Sequence, residues 1–199
     1  MNRRIGSILL LSLAAVACSE KHPAGYKPDP RALELNNSAV AALERQDLNG
    51  ALEFVDNAIA ADPQFYIAYA NKGAILTELG RDKDAIAAFR KAITLNPDFA
   101  DAYVPLGSLY EKEGKTPYAK KHYALAVRLY RSALEKEPDN PSIAANLAIA
   151  LFLSDDRTGA LDYLSGYLTN HPGDETIARI KSKIENRDRD GLVHRPSAK

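Results

Sequence analysis

Few side chains in this chain have the type and spacing that chemistry needs. Cys18 is the only cysteine in 199 residues, so no disulfide can close within the chain. The four histidines are His22, His122, His171 and His194, and no two of them stand at metal-ligand spacing. Asp155 and Asp156 are adjacent carboxylates, but they lie in turn composition, where capping and solvation are the ordinary work of aspartate. No glycine-rich phosphate loop and no serine nucleophile elbow occurs. The expectation is a protein that is not an enzyme, with no cofactor, no metal and no small-molecule substrate.

Charge narrows the partners. Twenty-six basic and 26 acidic residues cancel, and no basic stripe is legible along any helix face, so nucleic acid is not an expected partner. What remains for function is a protein-binding surface, and the rest of the chain must build it.

The amino terminus reads as an address. Arg3 and Arg4 precede an apolar run over residues 5–16, and small residues follow up to Ala17, which is the pattern of an export signal peptide over 1–17. The run is too short to span a bilayer comfortably. Leu13-Ala14-Ala15-Val16-Ala17-Cys18 resembles the lipobox of bacterial lipoproteins, with alanine at Ala15 where leucine is commoner. The resemblance implies that Cys18 becomes the first mature residue and carries palmitate-type acyl chains, and Ser19 beside it implies sorting to the outer membrane, facing the periplasm. An ordinary signal peptide with an incidental thiol is the alternative. Residues 18–31 contain several prolines and no apolar periodicity, and read as a flexible linker.

From residue 32 onward the sequence repeats. Pro63, Pro97, Pro138 and Pro172 recur at intervals of 34, 41 and 34. In the clearest copy Gly73 and Ala85 are small where two helices cross, Tyr69, Leu76 and Phe89 fill the space beside them, Gly80 can end one helix and Asp82 can cap the next. Tyr69, Gly73, Ala85, Phe89, Ala92 and Pro97 resemble the tetratricopeptide repeat motif residue for residue. The implied fold is all-α, a right-handed α-solenoid of about four helix-turn-helix repeats. Its expected parts are repeat 1 over 32–65, repeat 2 over 66–99, repeat 3 over 100–140, repeat 4 over 141–173, a capping helix over 174–187 and a disordered tail over 188–199.

Two departures stand out in the third repeat. Its closing proline comes seven residues late, which predicts a second helix lengthened by two turns, projecting as a spur or widening the next interface. Pro105 inside its first helix predicts a kink or a late helix start.

In the resembled family the first helix of each pair lines a concave groove. The matching places are Asn36, Asn37 and Val40; Ala70, Asn71 and Ala74; Val104 and Ser108; and Ala145, Asn146 and Ile149. Asn71 and Asn146 match places that hold peptide main chain. The cations by which chaperone-binding relatives clamp a terminal carboxylate are missing, since Asn36, Val40, Asp101 and Pro105 stand there. The helix ending Phe152-Leu153 is apolar nearly all round, so either the capping helix covers it or Phe152 and Leu153 form an exposed patch. The resulting expectation is a membrane-anchored periplasmic adaptor that binds peptide segments or helices of partner proteins in assembly of an envelope complex such as a pilus or secretion machine. The alternative is a regulatory or substrate-delivery subunit of an envelope hydrolase.

Overall fold

The computed structural model describes residues 26–186, and every regular element among them is helical. The α-helices are α1 (Pro30–Glu44), α2 (Leu48–Ala61), α3 (Tyr66–Glu78), α4 (Asp82–Leu95), α5 (Tyr103–Lys112), α6 (Thr116–Leu134), α7 (Pro141–Leu153), α8 (Arg157–Asn170) and α9 (Glu175–Glu185), with a 3-10 turn at Ala100–Ala102. The chain is an all-α array of helix-turn-helix units. It divides into two compact units, residues 26–109 and residues 110–186. The stretch expected to be a signal peptide, Cys18 and most of the expected linker, like the tail over 188–199, lie outside the described residues.

The turns share one geometry. A residue in the left-handed region ends the first helix, and the next amide reaches back to the carbonyl five residues before it. Gly80 (φ 72°) and Gly114 (φ 74°) do this with glycine, while Gln46 (φ 62°) and Asp155 (φ 72°) do it with a side chain. The returning bonds are alike: Asp47 N to Ala42 O at 2.9 Å, Arg81 N to Leu76 O at 2.8 Å, Lys115 N to Tyr110 O at 2.8 Å and Asp156 N to Leu151 O at 2.9 Å.

Most helix starts have a side-chain cap. Asp29, Asp47, Asn140, Asp156 and Asp174 each accept from a backbone N–H in the first turn of α1, α2, α7, α8 and α9. The cap expected from Asp82 is not formed. Arg81 holds the cap position, and Asp82 begins α4 instead, where with Asp84 it sets negative charge at the positive end of the helix dipole.

In the unit of residues 26–109, α1 packs on α2, α2 on α3 and α3 on α4. The α3–α4 crossing is set by Gly73: a Cβ there would stand 2.8 to 2.9 Å from the Phe89 ring, closer than a side chain can approach. Ala85, Phe89 and Ala92 are buried on the facing stripe of α4. In the unit of residues 110–186, α7 packs on α6, α8 and α9, and α9 also contacts α8.

The third repeat begins late. The chain runs through the 3-10 turn before α5, which puts Pro105 in the first turn of that helix, where its missing N–H has no carbonyl to lose. Helix α6 has 19 residues against 14 in α2, α4 and α8. The inserted length is therefore shared between the helix and the turn that follows it over residues 135–140.

The linker reading needs correction at its end. Tyr26 donates its hydroxyl to Asp62 Oδ2 at 2.7 Å, and Asp29 N reaches the same oxygen at 3.1 Å. The Tyr26 ring lies 6.5 Å from that of Tyr66, and α1 begins at Pro30. Residues 26–29 are thus fastened to the turn behind α2. Burial, then the Asp62 bond and charge, raise the Tyr26 phenol above its ordinary value.

Two outcomes follow from these contacts. Gly73→Ala is expected to lower stability by about 1–3 kcal/mol in chemical denaturation, because the Phe89 ring must give way. Tyr26→Phe should cost about 1 kcal/mol at neutral pH. The folded state holds the Tyr26 proton more tightly than the unfolded chain, so this contribution is present below about pH 10 and lost as pH rises beyond it. The fall in stability above that pH should accordingly be shallower in Tyr26→Phe than in the parent.

Candidate functional site

The first helices of the pairs carry the residues expected to line a groove. Asn37 is exposed, and Val40, Val104 and Ser108 are half-buried. Asn36, Ala70, Asn71 and Ala74 are not wall residues: their relative exposures are 3%, 2%, 0% and 4%. They fill the seam between α1 and α3, where Asn71 Nδ2 donates to Asn36 Oδ1 at 2.7 Å. The seam is close because the facing side chains are small, so the amides meet each other before they meet a ligand. Asn71 Oδ1 is buried without a hydrogen-bond partner.

The polar surroundings of the seam are fixed. Lys72, on α3, pairs with Asp56 of α2 at 2.7 Å, and Thr77 Oγ1 donates to the Gly73 carbonyl at 2.9 Å. The carbonyl of Pro97 accepts from the Tyr103 hydroxyl at 2.7 Å, and Pro105 is buried. The face can therefore offer asparagine and serine donors and acceptors beside small apolar side chains, which suits main-chain recognition better than recognition of a carboxylate.

In the unit of residues 110–186, Ala145 is buried and Asn146 and Ile149 are half-buried on α7. The possible exposed patch at Phe152 and Leu153 is corrected: they are 5% and 2% exposed. Helix α7 packs against α6, α8 and α9, and α9 buries Ile177 and Ile184 completely. Arg157 fastens it by donating to the carbonyls of Ile184 at 3.1 Å and Glu185 at 2.7 Å, which would otherwise be orphans at the helix end. Among the described residues no group of three or more histidine, cysteine, aspartate or glutamate side chains is placed to hold a metal. No described helix is long and apolar enough to cross a membrane.

Two clusters were not legible beforehand. His122 is half-buried, with its ring stacked 5.4 Å from Tyr110, which in turn lies 5.7 Å from Tyr118. Tyr167 stands where the repeat usually has a small residue; its ring stacks on His171 at 4.3 Å, and its hydroxyl reaches the Asp139 carbonyl at 3.3 Å. Burial, then the charges of Asp174 and Asp139, raise the Tyr167 phenol above its ordinary value. The reading that no helix face carries a basic stripe is also corrected. Lys121, Arg128 and Arg131 are exposed on α6, which contains no carboxylate. The helical period of the exposed positions was the available signal, masked by the neutral total.

An array of helix pairs with small residues at the crossings and no strand among the described residues defines a helical-repeat protein. Family comparison is specific: residues 73–114 match the TPR repeat and residues 118–184 match the tetratricopeptide repeat. The chain belongs to the tetratricopeptide repeat family. It is 33% identical over 142 residues to the tetratricopeptide repeat and J domain-containing co-chaperone DNJ1 of Fusarium oxysporum f. sp. lycopersici, covering 69% of this chain and 27% of that protein. It is 28% identical over 190 residues to DnaJ homolog subfamily C member 3 of Bos taurus, covering 90% of this chain and 37% of that protein. This chain thus spans well under half the length of either relative. Among solved structures it resembles TTC0263, a TPR protein of Thermus thermophilus, with a TM-score of 0.61 and 20% identity over 79% of this chain and 82% of that one.

The amide seam gives a double-mutant test. Asn36→Ala is expected to cost about 1–3 kcal/mol, because it strands the buried Asn71 amide. Asn36→Leu combined with Asn71→Leu should cost less than the sum of the two single changes in urea denaturation, since it also removes the orphaned Asn71 oxygen.

Proposed function

We propose that the chain is a lipid-anchored adaptor, facing the periplasm from the outer membrane, that holds an extended or helical segment of a partner protein along its first helices. The observation that carries the adaptor reading is the α1–α3 seam. The Asn36–Asn71 bond makes two neighbouring first helices one surface, and Asn37 and Val40 stand accessible beside it. A preformed surface of this kind binds without first ordering itself. The name of the Fusarium relative, a co-chaperone, supports the same class of work.

The partner's main chain is the natural ligand for this surface. With Lys72 held by Asp56, the cation on α3 is already neutralised, so a terminal carboxylate finds little there. The exposed amide of Asn37 can instead exchange hydrogen bonds with peptide groups. Anchoring and the outer-membrane address rest on the Cys18 sequence, and assembly of an envelope complex follows from that address.

A photo-crosslinking residue placed at Asn37 in the native cells is expected to capture one discrete partner, and the same residue at Arg90 on the exposed face of α4 is not. Ala74 is unsuited to this experiment, because it is buried. Equal capture from both positions, or from neither, would remove the adaptor reading. Mass spectrometry of the mature amino terminus is expected to find acylated Cys18; a free thiol there would remove the anchor and leave the adaptor intact.

A further inference from the structure

Helix α6 is alone among the described helices in carrying four cations and no carboxylate. Lys120 is engaged, pairing with Asp155 at 2.7 Å. Lys121, Arg128 and Arg131 are exposed and make no ion pair among the described residues. At 100° per residue they fall within an arc of about 80°, and at 1.5 Å per residue they span about 15 Å. Ala119, Tyr123, Ala126 and Tyr130 are buried on the other side of the helix. Arg128 and Arg131 are like charges one turn apart, an arrangement that helix stability opposes.

The ends of the stripe limit what can lie on it. Glu111 accepts from the Tyr123 hydroxyl at 3.0 Å and Glu113 pairs with Lys115 at 2.9 Å before α6, and Glu135 and Glu137 are exposed after it. A broad anionic plane laid over the helix would meet Glu135 and Glu137, whereas a narrow segment about 15 Å long ends before them. At one end Tyr118, 61% exposed, offers an aromatic face on the flank of the same helix.

We propose that the outer face of α6 is a second docking surface, independent of the first-helix face, and that it takes an acidic helical segment of a partner protein. Carboxylates on such a segment at intervals of 3 and 7 residues would meet Arg131, Arg128 and Lys121 in turn. The planar guanidinium groups of Arg128 and Arg131 accept a carboxylate through two parallel N–H donors, which a lysine cannot do. Contact with Tyr118 adds apolar area at the Lys121 end.

The probe is a labelled peptide of alanine and glutamine with glutamates at positions i, i+3 and i+10, followed by fluorescence anisotropy on the full chain. Affinity is expected to fall as salt rises. Arg128→Gln with Arg131→Gln should weaken binding by about tenfold or more. Lys83→Gln with Arg90→Gln, on α4, should leave it unchanged. Circular dichroism melting checks that both double variants remain folded. Arg128→Glu with Arg131→Glu should abolish binding of the acidic peptide and recover it with lysines in the matching peptide positions. The proposal is overturned if the peptide does not bind, or if a peptide with the same glutamates at other spacings binds equally. It is equally overturned if the glutamine variant binds like the parent, or if phosphatidylglycerol vesicles or a single-stranded oligonucleotide displace the peptide while engaging the same cations.

Discussion

A helix that packs against three others has almost no surface to spare, and a helix that packs against one or two keeps most of its own. This constraint sorts the described helices. Helix α3 lies against α1, α2 and α4, and nine of its 13 residues are buried, from Tyr66 to Leu76. Helix α7 lies against α6, α8 and α9 and buries eight of 13. Helices α2 and α8 bury only three residues of 14 each, and α4 buries four. Apolar burial drives the stacking, so the array continues until a helix with one apolar stripe and one charged face closes it. In α9 that stripe is Ile177 and Ile184, and the Arg157 bonds to its last carbonyls fix it in place.

The same sorting governs polar groups. On a helix packed against three others a buried polar side chain must find its partner inside the protein, and Asn71 finds Asn36 across the seam. One oxygen of Asn71 remains unsatisfied, which an apolar pair of similar volume would avoid. A stability argument alone does not choose asparagine there. Its geometric effect is definite, since a 2.7 Å bond fixes how α1 and α3 stand to each other, and with it the spacing of the accessible side chains beside them. On the exposed faces of the less buried helices the charges are free of this requirement and can be set by what lies outside.

The local devices were legible in the sequence because each works over a few residues. Gly73 against Phe89 and Gly80 at the turn follow from short spacings, as does the choice between a kink and a late start that Pro105 sets. What stayed hidden was which surfaces meet. Tyr26 and Asp62 are 36 residues apart, and nothing near Tyr26 distinguishes a solvated linker from a strand of chain fastened to a turn. The groove places at Asn36, Ala70, Asn71 and Ala74 were correctly put on the first helices, but helical period gives a face and not its distance from the next helix. Small residues there bring the backbones together and close the very space that a groove reading leaves open. Phe152 and Leu153 turned on a different question, how many helices pack against α7, and an apolar run alone does not give its neighbours.

The long helix of the third repeat shows how one insertion serves packing and surface together. A helix starting at Thr116 with the 14 residues of α2, α4 and α8 would end at Leu129, one residue short of Tyr130. The observed helix continues to Leu134, and Tyr130 is 4% exposed. Burial of an aromatic side chain of that size offsets part of the backbone entropy that the added turn costs. Holding Tyr130 inward turns Arg131 outward, because successive residues differ by about 100° on a helix. Arg131 then stands one turn beyond Arg128, and two guanidinium groups face solvent where a helix of ordinary length would have carried one. The added turn therefore lengthens the charged face by the same step that anchors it.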